Sequence, residues 1–156
     1  TMDVSLLVDP GPVAGFGDQF RAQLLYRERY VVIFPPGHRF ERLDAARLAD
    51  LDGEDYVDRL ACEMRELVTR VLGDRSIHLY AKFRSEREDW VQTMVLCGLG
   101  FAFMPEYSVT VGGLLSRALI EPVVTRDVQA FEVRGRARTP AASLFLQDLA
   151  AFAWPG

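Results

Sequence analysis

Chemistry-bearing residues cluster in a few places along the chain. Cys62, in "DYVDRLACEMRELVTRVLG", falls at the start of a predicted helix, where aligned backbone N–H groups and the helix dipole favour a thiolate. Arg59 and Arg65 push the same way, while Glu63 and Glu66 oppose them. Asp58 and Arg59 precede that helix, and Ser85 and Glu86 stand at the start of the next. Helix N-termini favour anions, so polar pairs placed there suit a small carboxylate; the alternative is that all four residues are caps or solvent-facing charges. His38, in "PPGHRF", could act as a general base, but no Ser, Cys or carboxylate stands at a spacing that identifies a partner. It reads as a structural histidine bonding local backbone.

The stretch "VLCGLGFAFMPEY" contains Gly98-Leu99-Gly100, a G-x-G that suggests a phosphate loop. A dinucleotide loop needs a strand before the glycines and a helix after them. Here the order is reversed, so Gly98 reads as a left-handed helix terminator and Gly100 as a site of close packing before a buried strand.

The elements that position these residues come from the patterning of 156 residues with a formal net charge of -4. Such mild acidity argues against a phosphate-backbone surface on this chain. Two cysteines without zinc spacing and two scattered histidines, His38 and His78, predict neither a metal site nor a disulfide framework. No leader pattern and no bilayer-length apolar run are present, so a cytoplasmic location is the default expectation. "TMDVSLLVD" runs straight into a strand pattern, Val4 to Val8, and reads as a cut into a domain already under way.

A Pro/Gly-rich loop, "PGPVAGFGDQ", follows, and Leu24 to Phe34 is strand-like. Apolar spacing predicts a short helix over Leu43 to Leu51, a strand over "DYVDRL", and a helix with Met64, Leu67, Val68, Val71 and Leu72 on one face, closed by Gly73. "SIHLYAKF" alternates as a half-buried strand. Ser85 and Glu88 have capping-box spacing ahead of a helix that Gly98 ends. Then come a buried strand at Phe101 to Met104, a helical turn over Pro105 to Val111, strands at Leu119 to Val124 and in "QAFEVRGRAR", and a terminal helix capped by Thr139 with Pro140 at its first position. Alternating strands and helices with short connections predict an α/β fold with a largely parallel sheet.

The order of these elements, with "LYRERYVVIFPPGHRF", "LADL", "VLCGLGFAFMPEY" and the late "IEPV" before an alternating strand and a proline-started helix, resembles the effector-binding (substrate-binding) domain of LysR-type transcriptional regulators. The resemblance covers nearly the whole chain. It implies a two-lobed, periplasmic-binding-protein-like fold with a small effector in the cleft between the lobes. Residues 1–31 and 119–156 would form a partial first lobe and residues 32–118 the second. A family domain would have another strand, helix, strand and helix before "DVSLL", preceded by a linker helix and a DNA-binding winged helix-turn-helix.

The family likeness puts Asp58, Arg59, Cys62, Ser85, Glu86, Gly98, Leu99 and Gly100 at the effector site. It implies no catalysis and no cofactor. A small-molecule effector, a carboxylate by the helix-terminus argument, and further copies of the chain are the expected partners, with DNA bound only through the helix-turn-helix. An incomplete first-lobe sheet would leave the strand Val4 to Val8 with open backbone groups and favour self-association. Two other readings stand beside this one: a transport-type solute-binding module, which shares the fold, and a cysteine-based redox sensor. Peroxide-sensing members of the family carry a reactive cysteine in about the region of Cys62, here offset by a residue and without a nearby resolving partner, since Cys97 is far along the chain.

Overall fold

The computed structural model describes residues 4–8, 19–60, 62, 65–74 and 76–155. The loop expected at residues 10–18 and the expected helix-face residue Met64 lie outside them, as do the side chains of Leu67, Val68 and Val71. The chain divides into two compact units, one made of residues 1–28 and 125–156 and the other of residues 29–124.

In the first unit, β1 (Val4–Val8) pairs antiparallel with β8 (Thr125–Val133), from Val4 opposite Glu132 to Val8 opposite Val128. β8 also lies beside β2 (Phe20–Phe34), whose residues 20–28 belong to this unit. Helix α3 (Pro140–Ala151) begins as the sequence predicts: the Thr139 hydroxyl accepts from the Ala142 N–H at 3.1 Å, and Pro140 occupies the first turn, where its missing N–H costs nothing. Glu28, almost fully buried, takes Arg126 at 2.7 Å, so the carboxylate does not enter the interior uncompensated.

The second unit is built around the end of β2. Residues 30–34 are all buried, and their alternation divides them between two faces of a sheet. Tyr30, Val32 and Phe34 join Phe40, Leu48, Leu51, Phe101, Phe103 and Leu119 in one core. Val31 and Ile33 join Val57, Val91, Val95, Ala102 and Met104 in the other. A run buried on both sides needs cover on both, and the unit supplies it. Leu72 of helix α1 (Arg65–Asp74) packs against the first core, and helix α2 (Glu88–Leu96) places Val91 and Val95 in the second.

β2 pairs antiparallel with β6 (Ala102–Pro105) on one edge and β7 (Leu115–Ile120) on the other, and β7 pairs parallel with the two-residue β3 (Ala46–Arg47). β4 (Asp55–Arg59) and β5 (Tyr80–Ser85) form a parallel pair, joined to the rest through a bridge between Tyr56 and Phe101. The expected largely parallel sheet is therefore a mixed one, because alternation reveals which residues are strands but not their direction.

Local corrections have local causes. The helix expected over Leu43 to Leu51 is β3 followed by a 3-10 turn, Leu48–Leu51, in which the Asp50 carboxylate accepts from the Arg47 N–H at 2.8 Å. Leu48 and Leu51 do face one core, three residues apart, but in the tighter helix. Gly73 lies inside α1, which runs on to Asp74. The strand expected at Leu119 to Val124 stops at Ile120, because Glu121 has a φ of 59° and Pro122 has no N–H to donate. Residues 106–108 form the expected helical turn. His38 bonds local backbone as predicted: its Nδ1 accepts from the Phe40 N–H at 3.2 Å, and burial lowers its pKa.

Gln92 is a buried polar residue on α2 that the apolar periodicity passes over. Its amide donates to the Ser108 carbonyl at 2.9 Å and accepts from the N–H groups of Thr110 and Val111 at 2.9 and 3.0 Å, tying the helix to the loop before β7. Gln92→Leu keeps the volume but strands three backbone groups, so urea unfolding should show a loss of about 1–3 kcal/mol. An unchanged midpoint would show that water satisfies the loop equally well.

Candidate functional site

The site begins with a turn. Gly98 ends α2 with a φ of 81°, its N–H bonding the Val95 carbonyl at 2.9 Å and the Leu99 N–H bonding Met94 at 3.1 Å, the Schellman pattern that a left-handed glycine permits. Gly100 has a φ of 140° and presses on β4: a Cβ there would sit 2.5 Å from the Asp55 carbonyl oxygen. The missing side chain lets the Phe101 N–H reach Asp55 at 3.0 Å and the Phe101 carbonyl accept from Val57 at 2.8 Å. The glycines thus fix β4, and β4 carries the polar residues.

Asp58 and Arg59, at the end of β4, are 4 % and 2 % exposed. Asp58 accepts from the Tyr56 hydroxyl at 3.3 Å and takes Arg65 at 2.8 Å and Arg84 at 3.5 Å on its other oxygen. Burial, with the Asp58 charge next, holds the Tyr56 phenol well above its usual pKa, so it stays a neutral donor. Arg59 pairs with Glu88 at the start of α2 and donates to the Tyr30 hydroxyl at 3.0 Å. Cys62 is half-buried, with its Sγ 3.9 Å from that same hydroxyl.

Tyr56, Asp58, Arg59, Cys62, Arg65 and Arg84 line one pocket of about 490 Å³, within the 300–1,000 Å³ typical of small-ligand sites. Its lining joins charged side chains, Asp58, Arg59, Arg65 and Arg84, with apolar ones, Leu72, Ile77, Leu79 and Phe103. A bulge between Tyr56 and Val57, where β5 advances by an extra residue, returns Arg84 to the register of Asp58. A hollow of about 390 Å³ in the first unit also holds two arginines, Arg21 and Arg138, but both are paired with Glu132.

Of the eight residues expected at a site, the structure brings Asp58, Arg59 and Cys62 into this pocket. Ser85 ends β5, opposite Arg59, with its carbonyl accepting from Leu60. Its hydroxyl accepts from Arg87 at 3.0 Å, a local turn rather than the expected capping box, since α2 starts only at Glu88. Glu86 is exposed. Gly98, Leu99 and Gly100 do not line the pocket; Leu99 borders a shallow surface hollow with Trp90 and Met94 beside α2.

Cys62 precedes α1, its carbonyl accepting from the Arg65 N–H at 3.1 Å. Cys97, at the end of α2, is exposed. Arg65, Arg84 and the apolar lining were not singled out from sequence as site residues. Arg65 was noted only for its charge beside Cys62, and Arg84 belongs to a charge-rich run that reads as solvated surface. Among the described residues, no group of three or more His, Cys, Asp or Glu could hold a metal ion, and no helix is long and apolar enough to cross a membrane.

A mixed sheet with helices on both faces, and charged groups gathered where the parallel pair β4–β5 ends, make this an α/β domain with a concave polar site. The family model of the LysR substrate binding domain matches residues 1–153, and the chain belongs to that family. Its fold is the periplasmic-binding-protein-like one of LysR substrate-binding domains.

The regulatory domain of CcmR from Synechocystis PCC6803, solved in complex with 2-PG, is 16 % identical with a TM-score of 0.79, over 96 % of this chain and 72 % of that one. The C-terminal domain of a probable LysR family transcriptional regulator from Rhodococcus sp. RHA1 is 18 % identical with a TM-score of 0.76, over 96 % and 74 %. The effector binding domain of QuiR in complex with shikimate is 16 % identical with a TM-score of 0.72, over 96 % and 70 %. At these identities the likeness is one of fold. A comparison with curated proteins gives no match.

The two glycines should respond differently to substitution. Gly98→Ala meets open space and carries only the left-handed backbone cost, roughly 1–2 kcal/mol. Gly100→Ala adds overpacking against Asp55, about 1–3 kcal/mol more. Urea unfolding of both variants checks this, and equal losses would contradict the part given to Gly100 in holding β4.

Proposed function

We propose that this chain is the effector-binding and oligomerisation part of a cytoplasmic LysR-type transcriptional regulator, and that the pocket lined by Asp58, Arg59 and Cys62 receives a small carboxylate-bearing effector. The pocket is the observation that carries the reading: a family defined by substrate binding, and in this member a concave site with paired charges and an apolar lining. The complexes of CcmR with 2-PG and of QuiR with shikimate support it as instances in which domains of this fold hold small ligands. On this reading the expected lobes, residues 1–31 with 119–156 and residues 32–118, correspond to the compact units of residues 1–28 with 125–156 and residues 29–124.

The action is binding rather than catalysis. An effector shifts an equilibrium only by its differential affinity for two states, and here those are two arrangements of regulator subunits on DNA, reached through a helix-turn-helix of the whole regulator. A thermal-shift screen of small carboxylates and aromatic acids on the full-length regulator tests this. A ligand at about 100 times its Kd should add roughly 2.7 kcal/mol of stability and alter promoter binding. No shift with any acid, together with no change in promoter binding, would contradict it.

Self-association rests on a second surface. In the first unit Leu144 and Phe152 are 62 % and 61 % exposed, Phe145 is half-exposed, and β1 stands at the sheet edge with Leu6 open to solvent. Apolar side chains so grouped suit a second copy of the chain. Sedimentation should show dimers or larger species at micromolar concentration, dissociated by Phe145→Glu. A monomer at every concentration would contradict the proposal.

A further inference from the structure

Resting on the effector-binding reading, we infer the chemical class of the ligand: a monocarboxylate with an apolar body, its carboxylate held by Arg65 and Arg84 and its body laid on Leu72, Ile77, Leu79 and Phe103. The argument starts from charge. Arg59 is matched by Glu88, so among the described lining residues the charges left are Arg65, Arg84 and Asp58, two cations and one buried anion. One negative charge on the ligand balances that trio. A phosphate or dicarboxylate would bring a second charge toward Asp58 with no further unmatched cation among the described lining residues to meet it.

Geometry points the same way. Asp58 engages one nitrogen of Arg65 at 2.8 Å and one of Arg84 at 3.5 Å. The two guanidinium side chains, 40 % and 60 % exposed, keep other donors for a carboxylate. Asp58, only 6 % exposed in its side chain and also accepting from Tyr56, aligns the two arginines; it is not itself open to the ligand.

The apolar lining selects the body. Leu72, Ile77 and Leu79 are half-buried and pack on the main core, to which Phe103 belongs. Against these side chains a hydroxylated ring would bury oxygens without partners, whereas an aryl or branched alkyl group gains from every apolar contact. The lining also carries the uncharged polar side chains of Tyr56, Thr69, His78 and Tyr80, of which Tyr56 already donates to Asp58.

Calorimetry of the full-length regulator tests the class with four probes: phenylacetate, its neutral analogue phenylacetamide, the hydroxylated monocarboxylate shikimate, and inorganic phosphate. Phenylacetate should bind and the other three should bind at least about tenfold more weakly. Arg84→Gln should weaken phenylacetate by roughly tenfold or more in a regulator that still unfolds cooperatively, since Arg65 remains paired with Asp58, while Trp90→Ala on the α2 surface should leave its affinity unchanged.

Phenylacetamide binding as well as phenylacetate, an Arg84→Gln variant with full affinity, or no phenylacetate binding to a folded regulator would each overturn the inference. Binding of shikimate or phosphate in an Arg84-dependent manner, without phenylacetate, would overturn the class while leaving the effector reading intact. That reading fails separately, by the lack of any ligand effect on promoter binding.

Discussion

The second unit depends on how closely its chain can approach itself at Gly100. With no Cβ there, the backbone of Phe101 exchanges hydrogen bonds with Asp55 and Val57 and joins β4 to the sheet. From that attachment, the last residues of β4 emerge at a fixed depth. Asp58 and Arg59 are buried because β4 is held there, and both are paired because a buried charge without a partner costs several kcal/mol. Arg65 at the start of α1 and Arg84 on β5 converge on Asp58, so one carboxylate organises groups from three elements. The turn therefore matters to the pocket without lining it.

The two faces of β2 impose the second constraint. Five consecutive buried residues divide by simple alternation between two cores, and each core demands a covering layer. α2 answers on one side through Val91 and Val95, pinned further by Gln92. On the other, α1 contributes Leu72 and the 3-10 turn contributes Leu48 and Leu51. The apolar lining of the pocket belongs to this second layer, so the surface offered to a ligand continues the main core.

Much of this was legible from sequence because it follows from local rules. β1, β4, the glycine stop of α2 and the Thr139-Pro140 start of α3 are short-range signals of alternation, left-handed glycine and capping. Asp58, Arg59 and Cys62 were legible as polar residues near an element end. Strand direction, the two-residue β3 and the loop tied by Gln92 were not, since each depends on which segments become neighbours. Arg65 and Arg84 were hidden for the same reason: nineteen positions apart, they share a partner only through the parallel pairing of β4 and β5 and the bulge that sets its register.

The central claim is that the pocket beside β4 is where an effector acts, and amide chemical shifts on the isotopically labelled protein report on it residue by residue. Titration with phenylacetate should move the backbone signals of Asp58, Arg59, Cys62, Arg65 and Arg84 together, along one saturable curve, while Trp90, Met94 and Leu99 stay in place. Shifts confined to the α2 surface, or a site around β4 that does not move in a folded protein, would contradict the account.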